Sequence, residues 1–469
     1  MNNSDSGSDS GKKFTRRNFI RTLSTTTAGL IVAPYIKSEN ISNYSSGNHS
    51  PFLTQVAVTQ GDNYERNFIK QKVQHLFEEI DGISDVVSPG DKVAIKLNLT
   101  GGSYFANDPR LHGAHITESM WTHPEVVRAV GELLIDSGIN GNDIYLVEAL
   151  WDIGSFNNFG YLEVQQGLGA QMVNLNEKDP YPDFVTREVG SNKFYYDSFI
   201  FNQILVDIDV YVSIPKMKQH YDAGVTHSIK NQVGIVPLQF YDQPSQPNYR
   251  SKLHFDGGNI RTHLPRSICD LYFARPINLA VIDGIKNAIG GEGAWNPTFQ
   301  PAEYDLLLAG KDAVASDSVA SFIMGNDPEA AQLLLPGGEY CDNHLDLLHE
   351  RGVGTNKMSE IEIVGDGAGV VSVRPEYTYV KPDEFMLFQN FPNPFNPSTT
   401  IKFYLPTTEN VSIKLFTAAG EEVETLVQGE IPEGQHVFQW TAKNLASGIY
   451  IYRMQAGDFS ESKKLTLNK

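Results

Sequence analysis

The sequence predicts an α/β protein: a two-lobed, mainly parallel sheet domain over residues 52–380, followed by a small all-β antiparallel sandwich over 385–469. Three observations carry this. Short, β-branched apolar runs alternate with amphipathic helical stretches through the middle of the chain. The tail switches to period-two alternation punctuated by Pro, Gly and Asn. At 469 residues the chain has room for about three domains and a large core.

In the middle region, Lys92–Leu97, Ile144–Glu148, Met172–Leu175, Val210–Ile214 and Leu279–Asp283 read as buried parallel strands, apolar on both faces. Between them, Tyr64–Ile80 repeats Phe68, Ile69, Val73, Leu76, Phe77 and Ile80 on one helical face. A second helix opens near Thr122, with Glu125 at capping-box spacing and Pro124 in the first turn, and stops at Gly138. Asp312 is placed to cap a third helix, Ala313–Met324. Strand–helix–strand repetition argues for an α/β fold with a mainly parallel sheet. Sites in such folds gather at the carboxyl ends of the strands.

The tail holds alternating runs at Thr400–Leu405, Val411–Phe416, His436–Thr441 and Ile449–Met454. Pro392, Pro394 and Pro397 cannot donate ladder hydrogen bonds, so the segment from Asn390 to Pro397 reads as an extended lead-in. This tail closely resembles the C-terminal sorting domain of the type IX secretion system. The residues that carry the likeness are Gln389 to Pro394, Gly434, Trp440, Leu445, Gly448-Ile449-Tyr450 and Lys463-Lys464. The resemblance implies transfer across the outer membrane, with that secretion system as partner, to the cell surface or the medium.

The net charge is −19, unevenly spread. Residues 1–37 carry six basic and two acidic side chains and the tail is near neutral, so the acidity lies in the middle. So acidic a chain is a poor polyanion binder, which argues against nucleic acid as partner. Two cysteines, Cys269 and Cys341, are too few for a four-cysteine zinc site or an intrinsic iron–sulfur cluster, and leave one disulfide or two thiols open. The N-terminus reads Thr15 to Arg21, with Arg16-Arg17, ahead of a short apolar run from Leu23 to Ile36. It resembles a twin-arginine export signal, which implies the twin-arginine translocase as partner and periplasmic transit in the folded state. A Ser/Asn-rich linker covers 38–51.

Four loops in the middle region carry unusual chemistry. Lys96 and Asn98 end a strand ahead of Gly101 and Gly102, whose N–H groups can approach an anion. An ordinary turn is the alternative. In Ser213–Asn231, Lys216, Lys218, His220, His227 and Lys230 cluster, and between Val210 and Tyr241 the only acid is Asp222. This suggests a local site for a carboxylate or phosphate; a solvated loop balanced by Asp207 and Asp209 is the plain alternative. Asp283-Gly284 and Gly290-Gly291-Glu292-Gly293 leave room beside carboxylates for a ligand or metal. Asp317, after the capping residue Asp312, falls inside a helix and faces either solvent or the cleft.

The segments VAIKLNLT, THPEVVRAVGELL, VSIPKMKQHYDAGVTHSIKNQVGIVP, VIDGI and LAGKDAVASDSVASFIMG resemble the family known as domain of unknown function 362. A more distant likeness is to the lactate racemase family, through His220-Tyr221, Ala223-Gly224 and Lys230. That likeness implies a nickel-pincer nucleotide tethered by Lys230, with His220 as proton-transfer residue. The glycines that precede the lysine in racemases are Thr226-His227-Ser228-Ile229 here, and His254 and His263 do not fit the spacing of a nickel ligand.

Three functional readings follow. The first is an exported enzyme acting on a small anionic substrate in an interlobe cleft. Here His220 and Lys230 are catalytic, Lys96, Asn98, Lys216, Lys218, Asn231, Asp283 and Glu292 bind substrate, and racemase-like α-carbon chemistry is included. The second is a metal-assisted hydrolase in which Asp283, Glu292, His254 or His263 hold a divalent ion. The third is a non-catalytic surface protein that clamps an anionic ligand.

Overall fold

The computed structural model describes residues 53–101, 114–181, 183–242, 250–255, 259–296, 298–371, 385–387, 390, 395, 397–443 and 445–467. Arg16 and Arg17, the linker and most of the proline-rich lead-in lie outside the described residues. One ten-stranded sheet runs through the α/β region. Its strands are β1 (Thr54–Gln60), β2 (Val93–Lys96), β3 (Ile144–Glu148), β4 (Gln171–Asn174), β5 (Val210–Ser213), β6 (Lys216–His220), β7 (Gly224–Thr226), β8 (Leu279–Ile289), β9 (Gln300–Gly310) and β10 (Ile361–Val364). The order is β10-β1-β9-β8-β5-β2-β3-β4, with β6 on β8 and β7 on β6. The pairs are parallel except those of β9 with β1 and β8, and of β6 with β7.

The sheet is covered on both faces, which is why its strands read as continuous apolar runs. Val93, Ile95, Val212 and Val281 pack with Ile69, Val73, Val126 and Val130 from helices α1 (Arg66–Glu79) and α2 (Pro124–Asp136). The alternate residues Ala94, Tyr211 and Ala280 pack with Leu264, Ile268 and Leu271 of helix α3 (Ile260–Ala274). The strand β8 runs six residues past the expected end. Gly284 and Lys286 interrupt its apolar pattern at a bulge, yet antiparallel pairing with β9 continues beyond it.

One local expectation changes. Helix α2 is capped not by Thr122 but by His123, whose ring nitrogen accepts the Glu125 N–H at 3.2 Å. The Thr122 hydroxyl is already committed, donating to the Ile214 carbonyl at 2.5 Å. Cys269 and Cys341 are both free and buried. Asp312 does cap helix α4 (Ala313–Ile323), accepting from Val314 and Ala315.

The tail forms a three-stranded and a four-stranded antiparallel sheet around one core. Ile401, Phe403 and Trp440 of the first meet Ile413, Leu415, Tyr452 and Met454 of the second. Strands Glu422–Ile431 and Phe459–Leu467 were not legible as strands. They are the two edges of the larger sheet, where charged side chains guard against foreign pairing and mask the alternation. Among the described residues no helix is long and apolar enough to cross a membrane.

Candidate functional site

Three parallel strands end together. Lys96 of β2 is in register with Val147 of β3 and Ser213 of β5, so their carboxyl ends share one edge. The Lys96 ammonium is buried there and donates to Glu148 at 2.8 Å and to the Leu97 carbonyl at 2.6 Å. Glu148 also accepts the Leu99 N–H at 3.2 Å. Burial pulls both members of this pair towards their neutral forms, lowering the lysine and raising the carboxyl. Gly234 closes over the pair: a Cβ there would lie 2.4 Å from the Glu148 carboxylate and 2.7 Å from the Lys96 nitrogen. Asn98 donates to Asn231 at 2.9 Å, and Asn231 donates to Ser213 at 3.2 Å. This ties the loop after β2 to the turn beyond β7.

The strand β6 sets Lys216, Lys218 and His220 on one face, because successive side chains alternate. All three are buried. A solvated basic loop is therefore not what forms. Lys216 donates to Asp283 at 2.6 Å and to the Tyr64 hydroxyl at 2.8 Å. Tyr64 in turn donates to the other Asp283 oxygen at 2.8 Å, and the His123 N–H donates to Asp283 at 2.9 Å. Lys216 and Asp283 thus satisfy each other as a fully buried ion pair.

Lys218 and Lys230 differ. Among the described residues neither forms an ion pair. Lys218 donates to the Met120 carbonyl at 2.6 Å and to Thr100 at 3.2 Å, both neutral acceptors. Burial, then the charge of Lys230, push its pKa well below the ordinary range. Lys230 opens a 3₁₀ turn over Lys230–Ile235. Its buried ammonium is lowered to about 8, chiefly by burial, against the pull of Glu292 and Asp222 from beyond ion-pair distance.

The charge of Lys230 acts on three buried imidazoles, His220, His254 and His344. The His220 ring accepts the Asp222 N–H on Nδ1 at 3.1 Å, which leaves the proton of the neutral ring on Nε2. Burial holds His220 neutral, and among the charges acting on it Lys230 is the largest. His254 and His344 are each lowered to about 3, by burial first and by Lys230 next. His227 is also lowered to about 3, and neither its ring nitrogens nor those of His344 have a partner among the described residues.

The turn that carries Lys230 is held from helix α4. Asp317 accepts the Ser228 and Ile229 N–H groups, both at 2.8 Å, so it faces the interior rather than solvent. Burial raises its carboxyl to about 7.

The glycine-rich loop makes room for the chain rather than for a ligand. A Cβ on Gly290 would stand 1.7 Å from the Thr298 carbonyl oxygen, and one on Gly291 would stand 2.6 Å from Asn296. Glu292 accepts the Tyr221 N–H at 3.0 Å and the Trp295 indole N–H at 2.9 Å, and sits 3.9 Å from the His220 ring. His254 and His263 are not brought together as ligands. His263 stacks on Tyr195 and lies 3.1 Å from the Lys252 carbonyl, while His254 lies 3.2 Å from the Arg250 carbonyl. Among the described residues no group of three or more His, Cys, Asp or Glu side chains could hold a metal ion.

Sequence reasoning missed Glu148, Tyr64, Arg250, His344 and the part played by Asp317. Glu148 was visible as the polar end of a strand beside Lys96's strand. His344 follows an unremarkable Asn cap far along the chain and gave no signal.

The arrangement defines an α/β domain with buried cations at its strand ends, followed by a β-sandwich tail. Residues 93–321 match the family model described as a domain of unknown function (DUF362). Residues 389–468 match the secretion system C-terminal sorting domain. Two family models thus match successive parts of the chain, and the second, a secretion sorting domain, indicates export to the cell surface or beyond. A thylakoid-associated protein of Synechocystis sp. is 27% identical over 284 residues, covering 59% of this chain and 76% of that protein. Among solved structures, dimeric latent PorU from Porphyromonas gingivalis is 17% identical with a TM-score of 0.16, over 18% of this chain and 9% of that one. The lactate racemase apoprotein from Thermoanaerobacterium thermosaccharolyticum is 12% identical with a TM-score of 0.27, over 53% of this chain and 54% of that one. At these TM-scores neither superposition carries a functional argument. The chain spans under a tenth of the PorU chain.

Proposed function

We propose that the DUF362 domain is an exported enzyme acting on a small anionic substrate, with Lys230 and His220 as its catalytic pair. The observation that carries this is the division among the lysines. Lys96 and Lys216 are consumed by buried carboxylates, whereas the buried Lys230, whose charge acts on His220, has no hydrogen bond or ion pair among the described residues. Leaving a buried charge uncompensated costs several kcal/mol, a cost more in keeping with binding or catalysis than with packing. With its pKa lowered to about 8, Lys230 has a sizeable neutral fraction near physiological pH and so can attack a carbonyl. His220, neutral with a proton on Nε2, can donate to or relay from the substrate. The two-step route through the twin-arginine translocase and the type IX system belongs to this reading.

The racemase-type nucleotide fits this chain poorly. The Ser228 and Ile229 N–H groups that precede the lysine are already donated to Asp317 and are not offered to a phosphate. No step is assigned to that group. A metal-assisted hydrolysis lacks a convergent ligand set among the described residues.

The test is turnover of a panel of small carboxylates, 2-oxo acids and phosphate esters, followed by NMR, with the wild type, His220→Asn and Lys230→Met. Turnover lost in both variants, with substrate still bound by His220→Asn, is the expected result. Binding without turnover of any compound would favour the non-catalytic clamp instead.

A further inference from the structure

We infer that Glu292 is the positioning residue of His220, holding the ring and accepting its Nδ1 proton whenever the ring is charged or works as a base. This rests on the reading of His220 as a proton-transfer residue. The loop between β8 and β9 grips the chain on both sides of His220. The Gly290 N–H donates to the Gln219 side chain at 2.7 Å, and the Tyr221 N–H donates to Glu292 Oε2 at 3.0 Å. The Trp295 indole N–H donates to Glu292 Oε1 at 2.9 Å, so both carboxylate oxygens are anchored. That grip brings Oε2 to 3.9 Å from His220 Nδ1, with both side chains buried. Burial alone does not demand such a partner. His227 and His344 are buried too, and none of their ring nitrogens has a partner among the described residues.

The distance matters because the two nitrogens of an imidazole do different work. In the resting ring Nδ1 accepts the Asp222 N–H at 3.1 Å, and the proton sits on Nε2. Such a ring can donate from Nε2 but has no lone pair there to accept with. Proton uptake therefore occurs at Nδ1, and the new Nδ1–H must turn from the Asp222 N–H to an acceptor. Glu292 Oε2 lies within reach, because a shift of about 1 Å closes the 3.9 Å gap to a hydrogen bond. The imidazolium so formed can pass its Nε2 proton to a bound substrate and take one back, with Nδ1–H on Glu292 in both states. The balance is simple: one proton enters at Nδ1 from solvent, and one shuttles at Nε2. The carboxylate also opposes the charge of Lys230, which after burial is the largest influence keeping the ring neutral.

The experiment is NMR of the full-length protein carrying isotope-labelled histidine, with the His220 ring assigned through His220→Asn. The Lys230→Met background removes the largest charge opposing protonation and so moves the titration upward. Between about pH 8 and about pH 5 the ring is expected to pass from the Nε2–H form to the imidazolium. Adding Glu292→Gln is expected to lower that pKa by about one unit or more, roughly a tenfold change in the protonation equilibrium. Trp295→Phe in the same background loosens the same loop and keeps the carboxylate, so it is expected to leave the titration in place. A ring that titrates alike with and without Glu292→Gln, that moves as far in Trp295→Phe, or that stays neutral to about pH 5 in Lys230→Met would overturn the inference. The ring is read independently of turnover, which keeps the two failures apart. A coupled ring with no turnover of any compound would sink the catalytic reading and spare the pairing of Glu292 with His220. An uncoupled ring in a protein that turns substrate over would do the reverse.

Discussion

Lys230→Met is expected to raise stability while abolishing the capture of small anions. Methionine matches the lysine stem in length and carries no charge to desolvate, so the buried site loses a cost and gains apolar contact. The pH dependence has a definite sign. The folded-state pKa of about 8 lies below the ordinary 10.5, so the unfolded chain binds the proton more tightly. Below about pH 8 the wild type carries the full penalty, and the variant gains on the order of 3 kcal/mol. As pH rises from about 8 towards 10.5 the wild type sheds that penalty and the gain fades. Urea midpoints across this range measure it. A variant that loses stability at neutral pH would mean that Lys230 is a structural cation with a partner.

Lys216→Met is expected to do the opposite. It leaves Asp283 fully buried without its ammonium, and breaking a buried pair from one side costs about 3–5 kcal/mol. The Tyr64 hydroxyl and the His123 N–H still reach Asp283, which places the loss nearer the lower figure. Adding Asp283→Asn to the same chain removes the stranded charge and is expected to recover part of the stability. Denaturant unfolding of the single and double variants decides this. Equal stability of Lys216→Met and the wild type would contradict the pairing. These two lysines lie in one short stretch of sequence, yet their substitutions are predicted to move stability in opposite directions.

That contrast also marks the limit of what the residues disclose before folding. The parallel strands were legible because burial on both faces leaves a continuous apolar run, as in Ile144–Glu148. The catalytic candidates His220 and Lys230 and the substrate-binding candidates Lys216 and Lys218 were legible because they crowd a window with a single acid. The division of labour among them was not. It depends on which carboxylate the topology brings to which amine: Glu148 reaches Lys96 across adjacent strands, and Asp283 reaches Lys216 across β6 and β8. Asp317 illustrates the same point. Its place in helix α4 was readable, but only the packing of that helix against the turn at Ser228 gives it two N–H donors. The glycines of Gly290–Gly293 misled for a related reason, since a missing Cβ makes room equally for a ligand or for the chain's own turn.

The central claim is that one buried lysine is held without an ion-pair partner among the described residues, poised for a ligand. Competitive labelling with trace acetic anhydride across a pH series, read by mass spectrometry on the peptide containing Lys230, tests it directly. The pH dependence reports the titration of that amine, whatever its accessibility. Half-maximal labelling at about pH 8 is the predicted result. Labelling that rises only near pH 10.5, as for an ordinary lysine, would contradict it.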